Sequence, residues 1–323
     1  MSSFSLTTLQ TYVDQTNIDL LKTPLLKNKS SQMFNIAAGI KNGQTLPILN
    51  VTPFYSNGSS CGYVFSGSVA ITERTITVGK VKNSYEYCLK DLEPYFTSQM
   101  LQKGSHQETY SAEEDVVQQS QAALMKDLEV ATWQASTVAS ASAGGLLSFF
   151  DGFLRNIENA SGSYINATGS VATGNLITGS ITVANVRQLI EQNVYGSIPA
   201  EVVDDPDMAV YCGRDVFQIY IQALQLANNG AGVYAVYNKD NPNAINIVGT
   251  TCPLIPVNGL NKTSKVVAFS KTNGYIGVDL AADFNDNFRQ WYSPDNDTLR
   301  MVFDFKYGTQ LAFPQFVTYA FVH

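Results

Sequence analysis

At 323 residues the chain is long enough to bury a full hydrophobic core, as one large domain or two medium ones. Its net charge of −7, with no run of basic residues, excludes a general nucleic-acid-coating protein, which needs clustered Lys and Arg. Charged residues make up only 15% while Tyr and Phe stand at 17 each, a composition that fits a surface largely covered by partners or a β-rich monomer with a large aromatic core.

The opening stretch, MSSFSLTTLQTYVDQTNIDLL, lacks a basic n-region, a continuous apolar core and a small-residue cleavage site, so no secretory signal is expected. No apolar run of about 18 residues follows, so no membrane partner is expected either. Without export, Cys61, Cys88, Cys212 and Cys252, scattered and with no CxxC, are expected to be reduced, packed thiols. The N-x-Ser/Thr sequons at Asn28, Asn50, Asn57, Asn159, Asn166, Asn261 and Asn296 are then chance matches in an Asn-, Ser- and Thr-rich chain. The first residues read as an arm ending in the polar run LKNKSSQ. Phe4, Leu6, Leu9, Tyr12, Val13, Ile18, Leu20 and Leu21 are too many for a disordered tail and too few to fold alone, so they should lie on another surface.

From 34 to 60, short apolar runs are broken by Gly39, Gly43, Pro47, Pro53 and a turn at Asn57 to Ser60. CGYVFSGSVAI and ERTITVGKVK, meeting at Thr72 and Glu73, predict a two-stranded ribbon over 61–82. Arg74, Ile76, Val78 and Lys80 share one face of its second strand, and Thr75, Thr77 and Gly79 the other. Neither face can close a core, so the ribbon needs a neighbour. The chain returns through SYEYCLKDLEPYFTSQML, where Pro94 suits a helix's first turn.

SAEEDVVQQSQAALMKDLEVATWQA, Ser111 to Ala135, predicts one long helix. Ser111 and Glu114 form a capping-box pattern, and Glu113, Glu114 and Asp115 put negative charge at the helix N-terminus. Val117, Leu124, Leu128, Ala131 and Ala135 make the apolar stripe, with Gln118, Gln121, Lys126 and Glu129 mostly opposite. SFFDGFLRNIEN reads as a turn and short helix around Gly152. The Gly/Ser/Thr-rich loop 160–180 is long enough to mark a boundary. A helix over about 182–193, an apolar run MAVYCG and a striped helix in RDVFQIYIQALQLAN follow, with strands at AINIVG, PLIPV and KVVAF, as in an α/β domain. Near the end Leu299, Met301, Phe303, Phe305 and Tyr307 alternate with Arg300, Val302, Asp304 and Lys306, a strand with one buried face that Gly308 is expected to break. Pro314 should sit at an edge or bend, and the last strands should pack on the long helix.

Catalytic chemistry finds little support. His106 and His323 are the only histidines and are far apart, which disfavours a His-based triad or multi-histidine metal site. Cys212, before Gly213 at a strand-to-helix step, is the best-placed nucleophile, yet a small packed residue explains it as well. Asp204, Asp205 and Asp207 lack an EF-hand pattern, and Asp283, Asp286, Asp295 and Asp297 also read as solvated turns. No GxGxxG, P-loop or G-x-S-x-G occurs, so neither enzyme activity nor a cofactor is expected.

The order of parts resembles the major capsid proteins of tailed phages, the Hong Kong 97-like fold. The closing LRMVFDFKYGTQLAFPQFVTYAFV is similar to that family's last strands, CGYVFSGSVAITERTITVGKVKNSYEYCLKDLE to its E-loop, and FFDGF to the stretch after its spine helix. The resemblance implies an α+β chain with an N-terminal arm (1–33), an E-loop β-ribbon (34–90), a P-domain with the spine helix (91–180), an inserted A-domain (181–285) and P-domain C-terminal strands (286–323). It implies hexamers and pentamers of an icosahedral shell around double-stranded DNA, in a virion assembled in the bacterial host cytoplasm. Candidate partners beyond self are scaffold, portal and decoration proteins. Phe4, Leu9, Tyr12, Arg74 and Lys80 are the candidate assembly contacts, with no catalytic, cofactor or metal residues. The alternatives are an encapsulin-type compartment shell and, in another class, a soluble β-rich enzyme or glycan-binding protein.

Overall fold

The structure, a computed structural model, describes residues 29–40, 43–52, 55, 68–88, 112–138, 145–160, 165–166, 175–177, 180–227, 244–279, 288–296 and 298–322. Phe4, Leu9, Tyr12, Cys61, Pro94, His106, Ser111, Asp283, Asp286, Asp297 and His323 lie outside the described residues, as does the Asn57 to Ser60 turn.

A short helix α1 (Lys29–Met33) leads into β1 (Asn35–Ala38), β2 (Gln44–Thr52), β3 (Ser68–Ile76) and β4 (Gly79–Cys88). The long helix α2 (Ala112–Gln134) follows, then a 3-10 turn (Gly145–Ser148), α3 (Phe153–Asn159) and the short strands β5 (Ile165–Asn166) and β6 (Asn175–Ile177). Next come a π-helix (Gln188–Val194), β7 (Met208–Cys212), α4 (Arg214–Ala227), β8 (Ile245–Asn246) and β9 (Pro253–Pro256). A 3-10 turn (Asn258–Leu260), β10 (Lys265–Ser270), β11 (Gly274–Val278), β12 (Phe288–Ser293), β13 (Thr298–Leu311) and β14 (Thr318–Val322) complete the chain.

Three sheets result. The first runs β1-β11-β13-β12, with β4 on the other side of β13; the second runs β5-β14-β10-β7-β9-β8, with β6 also on β14; the third is β2 with β3 alone. The second sheet is a wall between two cores, as the two-residue side-chain period allows. Ala209, Tyr211, Val267, Phe269 and Tyr319 face the core that holds α2 and the first sheet. Met208, Val210, Cys212, Val266, Ala268 and Ala320 face a second core with Val216, Tyr220 and Leu224 of α4 and Leu189 and Ile190 of the π-helix. This explains why β7 is buried throughout and reads as a continuous apolar run.

The expected long helix is present as 23 residues, roughly 34 Å. Leu124, Leu128, Ala131 and Ala135 are buried and share a core with Met301, Phe303, Phe305 and Tyr307 of β13, as the complementary patterns require. The helix differs from a one-sided stripe in its last turns, where Glu129, Thr132 and Trp133 are buried too. There it is enclosed by α1 on one side and the 258–260 turn on the other. A Cβ on Gly259 would stand 2.2 Å from Trp133 Cδ1 and 2.5 Å from the Glu129 carbonyl, so only glycine permits that approach. Past the helix, Gly152 N–H caps the Ala135 carbonyl at 2.8 Å, and Asp151 Oδ1 accepts from Thr137 N–H (2.8 Å) and Oγ1 (3.0 Å).

Three expectations are corrected. The strand through Thr72 and Glu73 does not turn there: β3 pairs antiparallel with β2, from Gln44↔Ile76 to Thr52↔Ser68. A two-residue hairpin needs positive-φ residues such as Asn-Gly, which Thr-Glu does not supply. The break falls instead at Thr77 and Val78, after which β4 joins β13 in the first sheet, from Tyr307↔Gly79 to Thr298↔Cys88. Gly308 does not end its strand either. It lies inside β13 opposite Gly277, and a Cβ there would fall 2.1 Å from the Thr77 carbonyl, so the glycine makes room for the 77–78 crossing. Lastly, the segment near 182–193 begins as a turn and continues as a π-helix. The sheets also interleave along the chain: β11 belongs with β13, whereas β14 belongs with β10.

Candidate functional site

Two serines of the polar run that ends the arm are buried. In α1 Ser30 and Ser31 are 0% and 1% exposed, and the Glu129 carboxylate accepts from Ser30 N–H at 3.0 Å and from Ser30 Oγ–H at 2.8 Å. Trp133 Nε1–H donates to Ser30 Oγ at 2.8 Å, and Lys29 Nζ donates to the Pro256 carbonyl. Thr132 Oγ1 donates to the Leu128 carbonyl and shares a 2.8 Å contact with Tyr307 Oη, which ties this knot to β13. Burial pushes the Lys29 ammonium below its ordinary value, with Glu129 pulling the other way. Sequence reading placed Glu129 on the solvent side; its partner Ser30 lies 99 residues away, so nothing local marks it as an internal acceptor.

Phe34 follows directly and sits at the centre of an aromatic cluster, stacked on Phe269 at 5.4 Å and edge-on to Phe153 (4.8 Å) and Trp133 (5.8 Å). The point at which the arm enters the body is thereby fixed to α2, α3 and the second sheet.

The ribbon of β2 and β3 is anchored at its base, and further out Ile48, opposite Thr72, is 7% exposed. Ile76 is fully buried, and with Ile40 and Val78 it packs over Gly277. Gln310 Nε2–H donates to the Thr75 carbonyl at 2.8 Å, and Arg74 Nη1–H reaches the Leu311 carbonyl at 3.4 Å. Beyond that base, Glu73 and Ile71 are exposed, Ile71 at 68%, and β2 and β3 pair with no other strand among the described residues. Nine residues per strand give a reach of roughly 30 Å.

Arg74 and Lys80 are not brought together. Arg74 belongs to the ribbon, whereas Lys80 stands on β4, exposed, beside a cleft of about 200 Å3 lined by Lys80, Lys82, Asp279, Asp304 and Lys306. Lys306 Nζ pairs with Asp279 Oδ2 at 2.8 Å. The remaining chemistry is that of packing. Cys88, Cys212 and Cys252 are free thiols, burial raises Cys212 far above the ordinary thiol value, and Cys252 is pushed up to about 12. A thiol held neutral in this way is a poor nucleophile. Among the described residues no group of His, Cys, Asp and Glu could hold a metal ion, and no helix is long and apolar enough to cross a membrane.

No family model and no curated protein matches the sequence. Solved structures are similar over almost the whole length. A chain of the satellite phage P4 procapsid that includes the size determination (Sid) protein is 13% identical with a TM-score of 0.58, covering 94% of this chain and 97% of that one. A Microbacterium phage Oxtober96 chain is 12% identical with a TM-score of 0.54, at 92% and 91% coverage. A virus-like particle from Pyrococcus furiosus is 10% identical with a TM-score of 0.50, at 95% and 98% coverage. The likeness over almost the whole length is one of fold: the chain has the Hong Kong 97-like fold found in these phage capsid chains.

Proposed function

We propose that this chain is a major capsid protein, which self-assembles into the icosahedral shell of a tailed phage around double-stranded DNA. The observation that carries the reading is the ribbon: two nine-residue strands pair, among the described residues, only with each other, with Ile71 exposed, in a chain whose fold matches a chain of a procapsid over 94% of its length. A two-stranded ribbon is marginal in water, and a neighbouring subunit supplies the missing surface. The arm, E-loop, P-domain and A-domain divisions follow from the same reading, with hexamers and pentamers as capsomers. Its role is structural and not enzymatic.

The runner-up is a compartment shell of the same fold, favoured by the likeness to the virus-like particle from Pyrococcus furiosus. Electron microscopy of the expressed chain separates the readings from a small soluble oligomer. Closed shells or capsomers are the expected result, and a discrete dimer or tetramer with no larger species would overturn it. Shells purified from the native source then divide the two: nuclease-protected DNA marks a capsid, and a co-purifying cargo protein marks a compartment.

A further inference from the structure

The outer face of the first sheet, opposite the side packed on α2, carries a local violation of sheet chemistry. Lys80 of β4 lies directly across from Lys306 of β13, and Lys82 directly across from Asp304. Like charges facing each other in an antiparallel pair destabilise it, because the opposed side chains start only about 5 Å apart. Lys306 is neutralised by Asp279 at 2.8 Å, half-buried on both sides. Lys80 has no ion-pair partner among the described residues, and it is exposed one row from Lys82, which faces Asp304, at the cleft both lysines share with Lys306, Asp279 and Asp304. Among the described residues Lys80 thus stands without a carboxylate partner at a concave site, facing Lys306 at some cost to the protomer, which points to a requirement outside it.

We infer that this cleft is a docking surface for carboxylates of a second copy of this chain. The inference rests on the shell reading and adds to it a particular receiving surface. Charge decides the occupant. The chain has 27 Asp and Glu against 20 Lys and Arg, so a neighbouring copy presents surplus carboxylates to match the exposed Lys80. A polyphosphate strand fits less well, since Asp279 and Asp304 interrupt the lysines and repel a continuous line of negative charge. A mixed-charge protein segment meets both signs, and such complementarity sets register more than raw affinity.

The test uses the full chain. In Lys80→Glu the new carboxylate faces Lys306 across the strand pair, so the protomer's denaturation midpoint should stay level or rise while attraction for a partner's carboxylate becomes repulsion. Shell yield at low salt should fall about tenfold or more. In parallel, a photo-crosslinking benzoyl-phenylalanine at position 82, activated in assembled particles, should join its peptide to one from a second copy. Normal shell yield from Lys80→Glu would overturn the inference while leaving the shell reading intact. Crosslinks to nucleic acid or to a different protein would overturn it too. An unmodified chain that forms no particles would overturn both.

Discussion

At the scale of single residues, stability rests on polar groups and glycines in places where nothing else fits. Glu129 is the acceptor for both the Ser30 N–H and its hydroxyl, so Glu129→Ala leaves two buried donors unmatched and should cost about 1–3 kcal/mol in urea denaturation. Glu129→Gln keeps the volume and one acceptor oxygen and should cost less; equal losses would refute the account in which each oxygen accepts one of the two bonds. Gly308→Ala forces a carbon to within 2.1 Å of the Thr77 carbonyl, and overpacking of this kind should cost about 1–3 kcal/mol. The thiols set a pH limit. Cys252 is held up to about 12 in the folded chain against an ordinary 9.0, so the folded state keeps its proton after the unfolded chain has lost it. The stabilisation this gives is complete below pH 9.0 and is lost as pH rises from there towards about 12. Above pH 9, Cys252→Ala should make the decline of stability with pH shallower, by at most about 1.4 kcal/mol per pH unit. Identical slopes for the two proteins would refute the assignment.

At the scale of elements, α2 and the ribbon behave in opposite ways. Leu128 is fully buried between the helix and the first sheet, and Leu128→Ala should cost about 2–5 kcal/mol by opening a cavity. Ile71 is 68% exposed, so Ile71→Asp should change protomer stability by less than about 0.5 kcal/mol. The shell reading adds that it should reduce particle yield sharply. Circular dichroism and a denaturation midpoint on the protomer, beside particle counts by electron microscopy, separate the two effects. A parallel loss of fold and particles in Ile71→Asp would count against the ribbon as an intersubunit element. Arg74 differs from Ile71, because its guanidinium reaches the Leu311 carbonyl of its own chain, and its reversal should loosen the ribbon's base as well.

At the scale of the whole molecule, two cores share one sheet, so the part around α4 cannot be detached from the part around α2 without exposing one face of β7 and β10. Unfolding should therefore be a single transition by both aromatic fluorescence and far-ultraviolet dichroism. The arm is a different case. Deleting residues 2–28 leaves Ser30, Ser31 and Phe34 with their contacts to Glu129, Tyr307 and Phe269. The large apolar residues of the deleted stretch would each gain roughly 1.5–3 kcal/mol from full burial, against about 1–2 kcal/mol per residue of backbone ordering, so they contribute little to a lone protomer. The truncated chain should be soluble and folded, and should fail to form stable closed shells. Normal, heat-stable particles would show the arm to be dispensable.

Periodicity by itself determined α2, α4, β7, β10 and the buried face of β13, because each contacts one dominant environment and its pattern records that environment directly. Only the tertiary structure decided the strand partners of the ribbon, since β-prone residues encode extension and not the identity of the strand alongside. The same holds for Glu129 and Trp133, whose burial comes from α1 and the 258–260 turn closing over the end of a helix that looks one-sided in isolation. Gly308 shows the rule in miniature: it reads as a strand breaker, and the structure uses it as the gap through which another segment passes. Local pattern reports how many faces of an element are covered, and it takes the assembled chain to say by what.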